Sequence, residues 1–233
     1  MAEPMIVLVH SPLVGPKTWW PVAERLRARG RSVVVPSLVD TVSSPPPRYL
    51  ALADTVCSAA EGGPADAMTL VVHSGAGGLV PSIVDRTALP VDAVVFVDAT
   101  LPYSGQSWMD TAPAELVESL RRSAGPDGFL PPWHEWFPPE AISELLPDPR
   151  IRAELCAEIP RVPWAYLEEI APEVAGWQDR PCGYVRLSDG YDDVTAEAGR
   201  RRWPVVRHDG HHLSAVTGPE AVTHAILTLL DRL

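Results

Sequence analysis

The chain has 233 residues, of which 46% are hydrophobic and 21% charged, with a formal net charge of −11. That balance suits one soluble globular domain with a sizeable core. The negative charge argues against nucleic acid, whose phosphates need a basic surface, and against an anionic membrane face; a plain solubility role accounts for it. From the N-terminus, residues 5–10 (Met-Ile-Val-Leu-Val-His) form a short, β-branched apolar run that reads as a buried strand. It is too short for a signal-peptide core with proper flanks, and no run reaches the ~20 apolar residues of a membrane span.

A helix is expected over 18–29, ended by Gly30, then a second strand over 32–36. A Pro-rich loop at 43–47 leads into a helix over 49–60. The third strand, 68–72, runs into Ser74-Gly75-Ala76-Gly77-Gly78 and a helix to about residue 86, which Pro81 should kink or restart. A fourth strand covers 91–98. After Leu101-Pro102 the pattern changes: residues 103–180 are rich in Pro and Trp, with helical stretches at 112–122, 139–146 and 150–159 and no buried-strand pattern. Strand character returns at 182–188 and 204–208, and a helix opened by Pro219-Glu220 closes the chain with Val222, Ile226, Leu229 and Leu230 on its apolar face.

Continuous apolar strands alternating with helices imply an α/β protein: a six-stranded, mainly parallel sheet with helices on both faces. The expected division is a core of residues 1–102 and 181–233, with a helical cap, 103–180, inserted over the carboxyl ends of the strands where ligands bind in open sheets. Cys57, Cys156 and Cys182 are odd in number, widely spaced and lack a CxxC pair. They suit neither a disulfide framework nor a zinc site, and point to a reducing cytoplasm. Homo-oligomerisation is left open.

The chemistry is carried by Val71-Val72-His73-Ser74-Gly75-Ala76-Gly77-Gly78. A serine on a tight turn between a buried strand and a helix presents its hydroxyl above the sheet, and the N–H of Gly75 points where an oxyanion would form. A helix N-cap is the plainer reading of Ser74. The base expected is His212 in Asp209-Gly210-His211-His212-Leu213, seven residues before Pro219, with His211 as a loop or packing residue. The acid is sought in Asp189-Gly190-Tyr191-Asp192-Asp193, which gives the chain order Ser, Asp, His. Gly75-Ala76-Gly77-Gly78-Leu79-Val80 matches a dinucleotide fingerprint only in part and follows the third strand rather than the first, so that reading is set aside.

These segments together resemble the α/β-hydrolase fold superfamily, in layout most like the short plant methylesterase and hydroxynitrile-lyase-like branch. The resemblance rests on Val7-Leu8-Val9-His10-Ser11 through Gly15 and Trp19, on Leu101-Pro102 at the start of the cap, and on the loop from Asp209 to Pro219. It implies a serine hydrolase for an ester, thioester or lactone of a small apolar molecule, with no cofactor or metal. It also places the acid about three residues beyond the strand end, at Tyr191 unless the loop holds one more residue. Asp192 is therefore favoured, with Asp189, Asp193 and Asp98 as alternatives; Asp98, ending a strand, reads as structural. The elbow departs from Gly-x-Ser-x-Gly at Val72 and Ala76. The family's second oxyanion donor falls on Pro12, which has no N–H, so either Leu13 supplies the donor through a shifted loop or the second donor is missing. Ser11, Trp133 and Trp136 are expected in the substrate pocket, while His10, His73 and His134 are expected to pack or support. Leu213 stands where hydroxynitrile lyases carry Lys, against cyanohydrin cleavage. The missing donor leaves two alternatives, a non-hydrolytic lyase or cyclase acting on a biosynthetic intermediate and a ligand-binding relative without catalysis.

Overall fold

A computed structural model of the chain describes residues 3–233; the first two positions of the expected core segment lie outside it. Six parallel strands form one sheet in the order β2-β1-β3-β4-β5-β6. They are β1 (Met5–Val9), β2 (Val33–Val34), β3 (Met68–His73), β4 (Val91–Val97), β5 (Cys182–Arg186) and β6 (Val205–Arg207). The crossovers are α1 (Trp20–Ala28), α2 (Arg48–Glu61), α3 (Val80–Arg86), α9 (Asp192–Arg200) and the closing pair α10 (Ser214–Thr217) and α11 (Pro219–Leu230). Between β4 and β5 lie only helices: α4 (Trp108–Thr111), α5 (Ala114–Ser123), α6 (Pro139–Leu145), α7 (Pro149–Cys156) and α8 (Trp164–Glu168).

The apolar runs are continuous because both faces of the central strands are covered. Met5, Val7 and Val9 of β1 join Leu70, Val72 and Phe96 on the face packed by α2 and α3. Ile6 and Leu8 join Val71, Val95 and Val185 on the opposite face, under Trp19 and Leu26 and under Val222 and Ile226 of α11. Alternate side chains thus point to opposite layers, and neither layer tolerates a polar residue without a partner. Val72, bulky for an elbow flank, is fully buried in the first layer.

Several boundaries moved. The second strand shrinks to two residues at the sheet edge. The helix expected from residue 18 begins as a 3-10 turn, Pro16–Thr18, before α1. Pro81 restarts the helix: a 3-10 segment over Ser74–Leu79 hands over to α3, where proline sits in the first turn and lacks no needed N–H. Helix α9 was not expected at all; its polar surface hides the period, although Asp192 and Asp193 in its first turn suit the helix dipole.

Two carboxylates tie the helical insertion to the sheet domain. Glu169 accepts the Arg48 N–H at 2.6 Å and the Arg48 guanidinium at 3.1 Å, capping α2, which has no side-chain cap of its own. Glu158 accepts the Lys17 N–H at 2.7 Å. Trp177 packs beneath the insertion against Phe96 and Trp203 and glues it to the core. Among the described residues no helix is long and apolar enough to cross a membrane, and the three cysteines are free thiols.

Candidate active site

Ser74 follows β3 with φ of +56°, a left-handed conformation that costs a non-glycine residue of order 1–3 kcal/mol. The turn is pinned from the neighbouring strand. Thr100, just past β4, donates its N–H to the Ser74 carbonyl at 3.1 Å. Gly77 allows this approach, because a Cβ there would stand 1.7 Å from the Thr100 oxygen. Gly75 is the second residue of the turn, so its N–H has no carbonyl within the turn to bond.

His212 lies across a cavity of about 200 Å³ whose wall includes Ser74, Gly75, Thr100, Trp133, Trp136, Tyr191 and His212. Leu13, Trp108, Leu116 and Phe137 complete the apolar side. No hydrogen bond joins Ser74 to His212 among the described residues; Tyr191 shares the cavity wall with both. Catalytic hydrogen bonds are commonly loose before substrate enters.

The acid is not where the sequence suggested. His212 Nδ1 is 3.0 Å from Asp98 Oδ2, and this carboxylate is fully buried. Asp98 also accepts the N–H groups of Leu187 (2.8 Å) and Ser188 (3.0 Å) and the Ser188 hydroxyl (2.5 Å). Burial alone would raise its pKa; the hydrogen bond and charge of His212, with the hydrogen bonds from the Ser188 hydroxyl and the Leu187 N–H, outweigh burial and hold it below the usual carboxylate range. Since a carboxylate only accepts, the bond places the His212 proton on Nδ1 and leaves Nε2 unprotonated.

Asp192 pairs with Arg186 (3.0 Å) and Arg207 (2.9 Å) at the start of α9 and is half exposed. Asp189 also pairs with Arg186, and Asp209 lies 3.6 Å from the same guanidinium. The Arg186 side chain, 7% exposed, thus collects Asp189, Asp192 and Asp209, and none of the three bonds to His212 among the described residues. The signal overlooked was Asp98 itself. A carboxylate ending a buried strand beside the serine strand must have a partner, and the crevice supplies the imidazole.

Two further expectations are corrected at the loop after β1. The Leu13 N–H donates to the Ser11 hydroxyl at 3.2 Å rather than to the cavity, although the Leu13 side chain lines it. Ser11 is 1% exposed and is not part of the cavity wall; it sits behind Gly75, where an added Cβ would come within 3.0 Å of its oxygen. His10 fixes this loop. It accepts the Leu38 N–H at Nε2 (3.0 Å), so Nδ1 carries the proton and donates to the Ser11 carbonyl at 2.8 Å. Burial lowers its pKa to about 4 and keeps it neutral.

His73 lies under His212, ring centroids 4.5 Å apart, and its Nε2–H donates to the His212 carbonyl at 3.0 Å. Its Nδ1 is buried without a partner, and burial followed by the His212 charge lowers its pKa to about 3. His211 braces its own loop through the Leu213 N–H and the Thr217 hydroxyl, and His134 stays outside the cavity wall.

No family model and no curated protein matches this sequence. Solved structures do. An extracellular α/β-hydrolase from a Paenibacillus species, described as sharing structural and functional homology with tobacco salicylic acid binding protein, superposes with a TM-score of 0.78 at 17% identity, over 97% of this chain and 99% of that one. An Arabidopsis methylesterase gives 0.67 at 16% identity, over 99% and 100%. Tomato methylketone synthase I gives 0.68 at 11% identity, over 100% and 99%. At these identities the likeness establishes the fold: the chain is an α/β-hydrolase-fold protein, and the plant-methylesterase layout expected from its loops is represented among its neighbours.

Proposed function

We propose that the protein is a serine hydrolase that cleaves an ester, thioester or lactone of a small, largely apolar molecule. The observation that carries this reading is the cavity wall, where Ser74 stands opposite a histidine whose Nδ1–H is held by the buried Asp98. Ser74 Oγ adds to the substrate carbonyl, its proton passes to His212 Nε2, and Asp98 stabilises the resulting imidazolium. The Gly75 N–H faces the developing oxyanion. His212 then returns the proton to the leaving group, and water repeats the sequence in reverse to free the acid. Four aromatic side chains, Trp108, Trp133, Trp136 and Phe137, suit an apolar acyl or alcohol group.

The test is a fluorophosphonate probe read by peptide mass spectrometry. A stoichiometric adduct on Ser74, lost in Ser74→Ala, is the expected result; no adduct on folded protein overturns the reading. One observation favours a second reading, a lyase or cyclase on the same scaffold: the loop after β1 offers the cavity no backbone donor, since Pro12 has no N–H and that of Leu13 is engaged by Ser11. Turnover that survives Ser74→Ala would select it.

A further inference from the structure

Acyl transfer places a negative charge on the former carbonyl oxygen, and a site with one N–H donor is poorly equipped for it; losing a donor costs ~10²–10³-fold. A replacement donor has to stand on the cavity wall. Thr100 directs its hydroxyl to the Ser74 carbonyl at 3.4 Å. Trp136 gives its indole N–H to the Pro131 carbonyl at 2.8 Å. His212 commits Nδ1–H to Asp98. The Ser11 hydroxyl lies behind Gly75, outside the wall. Tyr191 differs from all of these: its ring lies flat on the His212 imidazole, centroids 5.1 Å apart and planes within 5°, and it lines the cavity together with Ser74 and Gly75.

On the reading of the site given above, we propose that Tyr191 is a catalytic residue, whose phenol O–H donates the second hydrogen bond to the tetrahedral oxyanion beside the Gly75 N–H. In the resting enzyme Tyr191 stands on the same cavity wall as Ser74. As Oγ bonds to the carbonyl carbon and the π pair moves onto oxygen, the proton of Ser74 goes to His212 and the phenol turns its hydrogen to the new charge, with no net transfer from Tyr191. Two features equip it. Burial raises the phenol's pKa to about 12, so it is a donor across the working pH range. Stacking on His212 fixes the ring, so the hydroxyl is aimed before substrate arrives. The position is vacant for this use because Asp98, entering from β4, has taken over the contact with the imidazole.

The experiment compares wild type with Tyr191→Phe, which keeps the ring and its stack, on p-nitrophenyl acetate and on an alkyl trifluoromethyl ketone. The ketone adds Ser74 to give the oxyanion but has no leaving group. We expect kcat to fall by ~10²-fold with KM nearly unchanged, and inhibition by the ketone to weaken by the same factor. Equal melting temperatures establish that the variant folds. If kcat and ketone inhibition both stay near wild type, Tyr191 only stacks and the proposal is overturned. It is also overturned if kcat falls while ketone inhibition is unchanged, since the hydroxyl then serves the leaving group. A wild type that forms no Ser74 adduct with fluorophosphonate brings down the hydrolase reading itself, which is a separate result.

Discussion

Two acidic sites lie at the exits of adjacent strands and compete, on sequence grounds, for one histidine. At the exit of β4, Asp98 stands alone, fully buried, with a φ of +43° and four hydrogen-bond donors around one carboxylate. At the exit of β5, Asp189 and Asp192 are exposed and crowd around Arg186. A catalytic acid needs a charge that has no other cation to satisfy it. Arg186 meets that need for the β5 loop, so the single carboxylate, not the acidic run, is left to orient His212.

The sharpest way to break this contrast is Asp98→Asn. The amide is nearly isosteric but holds His212 Nδ1–H poorly and favours the wrong tautomer. We expect ~10⁴-fold loss of kcat on p-nitrophenyl acetate, with a preserved fold by circular dichroism. Activity near wild type would mean that the His212–Asp98 pair does not serve the reaction.

Much of this molecule could be read in advance, for identifiable reasons. The strands announced themselves because both faces of the sheet are buried, so their runs are uninterrupted apolar. The elbow was visible because Gly77 and Gly78 have backbone or aromatic neighbours where a Cβ would sit. The acid was not, because sequence order shows which loop follows which strand but not where a cation lies. Arg186 is a strand residue whose side chain emerges among the acids three and six positions later. Nor could the hydrogen bond from Leu13 to Ser11 be foreseen, since it depends on how proline at position 12 bends the loop. The spacing lands on Tyr191, but a phenol does not match the carboxylate that the spacing implies.

A second measurement sharpens the contrast between buried and exposed charge through pH. His10 is held neutral, with a folded pKa of about 4 against an ordinary 6.5. The unfolded chain therefore takes up a proton below pH 6.5 that the native state refuses until about pH 4. The sign is that stability is full above 6.5 and is lost as pH falls towards 4, by about 3 kcal/mol from His10 alone. His73, lowered to about 3, acts in the same direction over the same range. Asp98, held below the usual 3.8, adds a loss only at still lower pH. Urea unfolding at intervals from pH 7 to pH 4 should show this decline, flattened in His10→Asn. A flat profile in the wild type would contradict the buried, neutral imidazole.

The smallest expected effect is at Asp192, and its smallness is the informative part. Asp192→Asn removes a half-exposed carboxylate whose partners, Arg186 and Arg207, keep Asp189 and solvent in reserve. Ion pairs of this kind carry little net stabilisation. The kcat should stay within about twofold of wild type, as for an ordinary surface substitution, and the melting temperature should move little. The value of the variant lies in its pairing with Asp98→Asn: the two changes are chemically identical and lie just past adjacent strands, β4 and β5. A loss at Asp192 approaching that at Asp98 would show that the loop after β5 swings in during turnover and hands His212 a different acid. Near-silence there, against a collapse at Asp98, would fix the catalytic acid on β4.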